Sequence, residues 1–205
     1  QLTAGDHVFS LTDDWGCEVF DTIYISQAAL IKTTWVVDTT VSCYGLGDGV
    51  ASVSTEGGSS SVYTYFWSTG NDTSGVNYDI EYGLFYGSYY VTTRDAAGCE
   101  VVDTIDISQP LPLSMEATEI DWVDCFGDDN GEAFATASGG TASYIFDWGN
   151  GGLQGDSVSS LPAGLHTVVV TDERGCTAND TVTIHSPLEL VVNIIDALTI
   201  LPYCE

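Results

Sequence analysis

Hydrophobic and polar residues alternate along this chain with the period of β-strands. Residues 63–67 read Tyr-Thr-Tyr-Phe-Trp and residues 144–148 read Tyr-Ile-Phe-Asp-Trp, so alternate aromatic side chains fall on one face. A second pattern consists of two runs of strand-forming residues, 166–171 and 181–184, with Asp172-Glu173-Arg174-Gly175 between them. Aspartate favours the start of a turn and glycine supplies a positive φ, so this segment predicts strand, turn, strand.

One such block occurs three times with identical internal spacing. It reads Leu-x-x-Gly, then an aromatic residue or histidine, then Asp-x-x-Gly-Cys, with copies that start at Leu2, Leu84 and Leu161. An Asp-Thr-Ile or Asp-Thr-Val tail follows each copy. A second block occurs twice, at residues 43–67 and 125–148, and contains Cys-aromatic-Gly, a Gly-Gly pair and Tyr-x-aromatic-x-Trp. The full period of about 80 residues exceeds that of a solenoid and suits small domains with separate cores.

The phase of the repeat predicts four segments. Residues 1–28 are expected to be the C-terminal half of a repeat, 29–110 and 111–189 two complete repeats, and 190–205 the first strand of another. This phase suggests a piece of a longer array. No stretch approaches the length of an apolar membrane span.

Composition supports an all-β fold. The chain has 22 glycines and only three basic residues, and it is rich in Thr, Val, Ser and Tyr. About seven short strands per repeat and a tryptophan within an aromatic strand predict tandem immunoglobulin-like (PKD-like) β-sandwiches, arranged as beads on a string. Tyr89 would occupy a tyrosine corner, and His7 and His166 take the equivalent position. We therefore interpret these histidines as packed corner residues, not metal ligands, and expect His185 to face solvent.

The two blocks, in this order, resemble the SprB repeat of Bacteroidota. The departures are small: histidine replaces tyrosine at two corners, and Ala28 replaces a terminal proline. The resemblance implies a segment of an extracellular adhesin or filament, exported by the type IX system and displayed on a Gram-negative cell surface, as in gliding motility. It implies no catalytic residues, and the chain contains no nucleophile elbow, metalloprotease helix or phosphate loop. Its expected partners are neighbouring repeats, other copies in a fibre and surface glycans.

A glycan-binding module of a secreted protein is the rival interpretation. Trp15 and Trp35 have no counterparts in the other repeats, and Trp15 lies in a turn. An exposed ring there could contact another domain or stack on a sugar.

The formal charge of −27 argues against nucleic-acid binding, because a phosphate backbone is held by Lys and Arg. The carboxylates either keep an exported array soluble and extended or hold Ca²⁺, the one cofactor considered. The calcium candidates are Asp128, Asp129, Asn130 and Glu132. This segment lacks a full calcium loop, and the sister turn at residues 45–49 retains one carboxylate.

The cysteines of an exported protein are expected to be oxidised. They fall into two classes, one after the Asp-x-x-Gly turn and one before the aromatic-Gly turn: Cys17, Cys43, Cys99, Cys125, Cys176 and Cys204. In a standard sandwich the two classes lie at opposite ends of a strand of roughly 25 Å, whereas a disulfide needs Cα atoms within about 7 Å. End-to-end stacking would instead pair Cys43 with Cys176 and direct the others to neighbouring repeats. A bond within one repeat remains open if the first strand departs from standard topology.

The Asp-Thr-Ile or Asp-Thr-Val tails match a pattern for O-glycans on exported proteins of Bacteroidota, Asp-Ser/Thr followed by a small or branched apolar residue. The tail candidates are Thr22, Thr104 and Thr181, and Thr39 and Ser157 are further matches outside the tails. An ordinary strand with threonine outward and isoleucine inward explains the same pattern without sugar.

Overall fold

The computed structural model describes residues 2–149 and 155–193, where the regular elements are all β-strands. In chain order the strands are β1 Gly5–Thr12, β2 Glu18–Ile25, β3 Ala29–Thr39, β4 Gly49–Gly58, β5 Tyr63–Trp67, β6 Asp72–Val76, β7 Tyr78–Leu84, β8 Gly87–Arg94, β9 Glu100–Ile107, β10 Ser114–Asp121, β11 Gly131–Ser138, β12 Ile145–Asp147, β13 Ser157–Leu161, β14 Gly164–Thr171 and β15 Thr177–Ile184. Within these ranges no helix is long and apolar enough to cross a bilayer.

The first compact unit comprises the residues up to Val41 together with Gly45–Gln109. Strands β3–β9 form two antiparallel sheets, in the orders β3-β4-β7 and β6-β5-β8-β9. Side chains from both sheets share one hydrophobic core, so the sheets form a sandwich. These orders correspond to the A-B-E and C′-C-F-G sheets of an immunoglobulin-like domain. The seven strands expected for this repeat are confirmed.

Strand β5 crosses the centre of that core. Its alternate residues Tyr63, Tyr65 and Trp67 are 3%, 0% and 4% exposed, as the period-two pattern predicted. The Trp67 indole nitrogen donates a hydrogen bond to Asp79 Oδ2 at 2.9 Å, which satisfies its buried polar atom.

The second compact unit comprises Ser42–Tyr44 and the chain from Pro110 onward. Its sheets have the orders β10-β11-β13 and β12-β14-β15, which repeat the A-B-E and C-F-G pattern with six strands among the described residues. Trp148, Leu161 and Val168 lie in its core with at most 1% exposure. The prediction of tandem immunoglobulin-like sandwiches is confirmed by this topology.

The block that occurs three times in the sequence forms three hairpins of identical register. Each pairs the residue after Leu-x-x with the residue at the end of the tail, and the pairs are Gly5 with Ile25, Gly87 with Ile107, and Gly164 with Ile184. In an antiparallel pair, register decides which side chains share a face. The sequence repeat is therefore also a repeat of side-chain orientation.

Hairpin β1–β2 differs from the others because its strands pair with each other alone. Phe9 and Ile23 are 54% and 53% exposed, whereas the equivalent Val91 and Ile105 of β8–β9 are fully buried. One face of the hairpin therefore corresponds to the inner face of a sandwich, but among the described residues no second sheet covers it.

Candidate functional site

Each hairpin turns through an aspartate whose first carboxylate oxygen is held by the turn itself. Asp172 Oδ1 accepts hydrogen bonds from the backbone nitrogens of Arg174 and Cys176, at 2.9 and 2.8 Å. Asp13 and Asp95 accept the same two bonds from the residues two and four positions later. The Asp-x-x-Gly-Cys spacing is therefore that of a side-chain-capped turn, which fixes the position of each cysteine.

The second carboxylate oxygen reaches a distant segment, which we call the Gly-Gly loop: residues 57–59 in the first unit and 139–141 in the second. Asp172 Oδ2 accepts from the Thr141 backbone nitrogen at 2.8 Å. Asp95 Oδ2 accepts from the Ser59 backbone nitrogen and hydroxyl, both at 2.9 Å. Each aspartate thereby connects the tip of a hairpin to a loop of the facing sheet.

A tyrosine holds the same loop from within the core. The Tyr144 hydroxyl donates to the Gly139 carbonyl at 2.6 Å, and Tyr63 donates to the Gly57 carbonyl at 2.7 Å. A Cβ at Gly139 would lie 1.9 Å from the backbone oxygen of Pro112, so no larger residue fits there. These contacts explain why the Gly-Gly pair and the first tyrosine of the aromatic strand occur together.

Hydrogen bonds keep both turn aspartates ionised. At Asp95 the Ser59 backbone bond is the main cause of a lowered pKa, and the Cys99 and Ala97 amides add to it. At Asp172 burial opposes ionisation, but the bonds from Thr141 and from its own turn outweigh burial and lower the pKa.

The disulfide lies at the hairpin tip of the second unit. Cys43 Sγ and Cys176 Sγ are 2.02 Å apart, with Cα atoms separated by 5.7 Å. Cys43 lies in the Ser42–Tyr44 segment, which belongs to this unit although its sequence position is between β3 and β4. The free thiols among the described residues are all exposed: Cys17, Cys99 and Cys125. Cys204 lies outside the described residues.

The corner residues each bond to the residue four positions earlier. The Tyr89 hydroxyl lies 3.0 Å from the Phe85 nitrogen and 3.2 Å from the Phe85 oxygen. His166 Nε2 lies 2.7 Å from the Pro162 oxygen, and because a carbonyl only accepts, Nε2 carries the proton. Proline has no N–H, so this corner requires a donor alone. His7 makes the equivalent contact, 2.6 Å, to a backbone oxygen.

The calcium candidates lie in the exposed segment that follows the Cys125 turn and, for Glu132, at the start of β11. Asp128 donates its backbone N–H to the Cys125 oxygen at 3.1 Å, and the Asn130 side chain pairs with Asp124 at 2.6 and 3.0 Å. Asp129 and Glu132 are also exposed. Within the described ranges, no group of three or more His, Cys, Asp or Glu side chains could hold a metal ion.

The O-glycosylation candidates are all exposed: Thr22, Thr39, Thr104, Ser157 and Thr181. In the two complete repeats, the aspartate before the tail threonine has a structural role that the sequence did not reveal. Asp180 Oδ2 accepts from the Ala117 nitrogen at 2.9 Å, and Asp103 accepts from the Thr33 hydroxyl. These bonds connect the last strand to the first strand of each unit, and the bond from Ala117, with one from the Thr181 backbone, lowers the pKa of Asp180. The recurrence of Asp in every tail was the available signal.

The remaining candidates are surface residues. Trp15 is 90% exposed and Trp35 43% exposed. The His185 side chain is 55% exposed, and its Nδ1 lies 2.8 Å from Glu119 Oε2. The expectation that His185 faces solvent is therefore confirmed.

Comparison with known families identifies one segment of the second unit. Residues 118–153 match the model of the SprB repeat family. The SprB match begins in β10 and includes β11 and β12, the Cys125 turn and the Gly-Gly loop. The SprB resemblance inferred from the sequence is confirmed here. No curated protein matches the chain.

Solved structures similar to this chain share little sequence with it. A C-terminal 282-residue fragment of intimin, in complex with the intimin-binding domain of its translocated receptor, is 14% identical. Its alignment covers 78% of this chain and 64% of the fragment, with a TM-score of 0.39. Three N-terminal domains of the bacteriophage RB49 capsid protein Hoc are 16% identical, and the alignment covers 76% of this chain and 58% of Hoc with a TM-score of 0.39. The IG1 and IG2 domains of DIP-gamma are 12% identical, and the alignment covers 77% of this chain and 98% of DIP-gamma with a TM-score of 0.35. The chain thus spans less than two thirds of the intimin and Hoc chains.

Proposed function

We propose that this chain is a spacer segment of an extracellular repeat adhesin or filament, which spans distance from a cell surface and presents binding surfaces. The observation that carries the proposal is the Cys43–Cys176 disulfide. It bonds a cysteine from the sequence of the first repeat into the second compact unit. A bond of this kind suits a protein that experiences tension outside the cell, where disulfides persist.

The repeated contacts support a mechanical role. Each complete unit has its own core, a capped hairpin turn and a bond from the turn aspartate to the Gly-Gly loop. Such units fold as domains and can be joined in series. The charge of −27 adds mutual repulsion, which favours a soluble, extended array.

Length measurement tests this function. Small-angle scattering of the chain, and of two and four copies fused in series, is expected to give a maximum dimension that rises linearly with copy number. A compact assembly would instead show a much weaker, cube-root increase, and that result would reject the spacer function. The Cys43→Ser/Cys176→Ser chain is the control and is expected to show a broader distribution of dimensions.

Glycan binding is the second candidate, and the exposed ring of Trp15 favours it. A glycan array probed with the native chain and with Trp15→Ala tests it directly. Binding that disappears in Trp15→Ala would support a carbohydrate-binding module, and equal signals from both chains would reject that role for Trp15.

Surface display through type IX secretion and modification with O-glycans belong to the same proposal. The exposure of all five candidate residues supports the second of these. The intact mass of the protein from its native host decides it, because a mass equal to that of the bare polypeptide would eliminate modification.

A further inference from the structure

We propose that the cavity beside Cys99 is a docking site for a Cys-aromatic-Gly loop of an adjoining repeat, and that Cys99 forms a disulfide with the cysteine of that loop. The inference rests on the proposed array and names the partner of one of its free thiols. The equivalent cysteine of the second unit, Cys176, forms such a bond with Cys43.

The two hairpin tips have the same turn bonds and the same register. Cys99 and Cys176 donate their backbone N–H to Asp95 and Asp172 with the same distance, 2.8 Å. Their hairpins have the same register. Cys176 is bonded to Cys43, whereas Cys99 is an exposed free thiol.

The segments around these tips also correspond. A Cβ at Gly58 would contact Asp95 and Ile31, and a Cβ at Gly140 would contact Asp172 and a leucine at the matching position. The Gly-Gly loop beside each hairpin tip therefore packs against the turn aspartate and an aliphatic residue, Ile31 in the first unit and Leu113 in the second. In the second unit this environment accommodates the Ser42–Tyr44 segment.

At Cys99 the first unit has an open cavity of about 380 Å³. Its lining includes Ala28, Leu30, Ile31, Gly58, Asp95 and Cys99. Gln27, Asp95, Cys99 and Glu100 supply the polar part of the lining, and the other lining residues are apolar or glycine. A mainly apolar occupant with one sulfur atom therefore fits its chemistry. Both Cys-aromatic-Gly loops in the chain have that composition, at residues 43–45 and 125–127.

Cys17 has the same hairpin turn as Cys99 without a Gly-Gly loop beside it. Its turn has the same two bonds to Asp13, and its thiol is exposed. Among the described residues, however, no Gly-Gly loop bonds to Asp13. Cys17 is therefore a matched control for Cys99, with an equivalent turn and without the loop.

The bond forms by oxidation of two thiols. The Cys99 thiol and the loop thiol together lose two protons and two electrons to a disulfide oxidant, which is reduced to two thiols. In a laboratory exchange, the Cys99 thiolate attacks the loop sulfur of a mixed disulfide and releases the leaving thiolate.

Thiol exchange on the full chain tests the proposal. A peptide of residues 40–48, activated as the thionitrobenzoate mixed disulfide, is added to two variants that keep the Cys43–Cys176 bond. One retains Cys99 as its free thiol and the other retains Cys17, with the remaining free cysteines replaced by serine. The rate with the peptide is divided by the rate with activated glutathione. We expect this ratio to be about tenfold higher at Cys99 than at Cys17, equivalent to ~1.4 kcal/mol.

Equal peptide-to-glutathione rate ratios at Cys99 and Cys17 would overturn the docking site. A scrambled peptide that reacts with Cys99 as fast as the peptide of residues 40–48 would also overturn it. Ala28→Trp fills the cavity and is expected to reduce the peptide rate at Cys99 to the Cys17 level while the glutathione rate stays unchanged. An unchanged peptide rate in that variant would also reject the site. The spacer function is tested separately by scattering. If Cys99 shows peptide selectivity but fused copies of the chain form compact assemblies, the docking site is supported and the spacer function is rejected.

Discussion

Asp172 Oδ2 accepts a hydrogen bond from the backbone nitrogen of Thr141, 31 residues earlier in the chain, at 2.8 Å. The same carboxylate caps its own hairpin turn through Oδ1. One buried side chain, 4% exposed, therefore fixes both the turn that carries Cys176 and the loop beside it. Performing both functions at once requires a carboxylate, because every partner of the two oxygens is a donor and an amide has only one acceptor oxygen.

Asp172→Asn is expected to destabilise the second unit by about 1–3 kcal/mol, because the amide presents a donor where Thr141 already donates. Urea unfolding followed by tryptophan fluorescence measures the change. Asp13→Asn is the matched control, since Asp13 makes the turn bonds in an exposed hairpin, and it is expected to change stability much less. Equal effects would contradict a role for the bond to the Gly-Gly loop.

Acid is expected to destabilise the fold through the same groups. The pKa values of Asp95, Asp172 and Asp180 are lowered in the folded chain. Their contribution is therefore fully present above the unfolded value of about 3.9 and is lost as the pH falls through the lower folded values. The melting temperature, measured between about pH 6 and pH 2, should fall as this contribution is lost. In Asp172→Asn the melting temperature should fall less steeply with pH. A melting temperature that rises on acidification would contradict the prediction.

Gly139→Ala is expected to cost more than about 3 kcal/mol and to prevent folding of the second unit, because the new Cβ meets a backbone oxygen at 1.9 Å. Gly175→Ala is the control: its φ is also positive, at 83°, but nothing lies within 4 Å of the new Cβ. That change should cost only the backbone strain of about 1–2 kcal/mol. Circular dichroism and urea titration compare the two variants, and similar losses would reject the steric explanation.

The first unit contains buried hydroxyls that the second unit lacks. Thr55 Oγ1, Tyr65 Oη and Thr93 Oγ1 are buried without a hydrogen-bond partner in the described part of the chain. Burial also raises the pKa of Tyr65. The repeat places Ala137, Phe146 and Val170 at the equivalent positions.

Thr55→Ala/Tyr65→Phe/Thr93→Val is therefore expected to leave the first unit equally stable or more stable, by up to about 2 kcal/mol, because no buried donor loses a partner. Differential scanning calorimetry measures the change. The reverse exchange, Phe146→Tyr in the second unit, should be destabilising, and a stabilising result there would contradict the argument.

The exposed apolar face of hairpin β1–β2 predicts that the first half of a repeat packs against it. In a fusion protein, residues 29–83 are joined directly to Leu2. This places the first half of a repeat before the hairpin, and Leu2 then follows residue 83 as Leu84 does in the first unit. Backbone amides around Phe9 and Ile23 are then expected to gain hydrogen-exchange protection comparable to that around Val91. The same addition to a Phe9→Asp/Ile23→Asp chain should give no such protection. Protection that is absent from the unmodified fusion would show that the hairpin does not accept this half.

The sequence by itself determined the strands, the hairpins and the immunoglobulin-like class. Period-two alternation and turn residues act locally, so Tyr63 to Trp67 and the Asp-x-x-Gly turns could be identified without coordinates. The repeat also identified Tyr89, His7 and His166 as one position. The residues of each local pattern are close in the chain, and for that reason the pattern is readable.

Only the tertiary structure decided what these local units contact. The bonds from Asp172 to Thr141 and from Asp180 to Ala117 join residues that are far apart in the sequence. The cavity beside Cys99 likewise depends on several segments that meet at one hairpin tip. Spacing along a chain specifies local geometry, whereas the meeting of distant segments depends on how the sheets pack, and packing is a property of the whole fold.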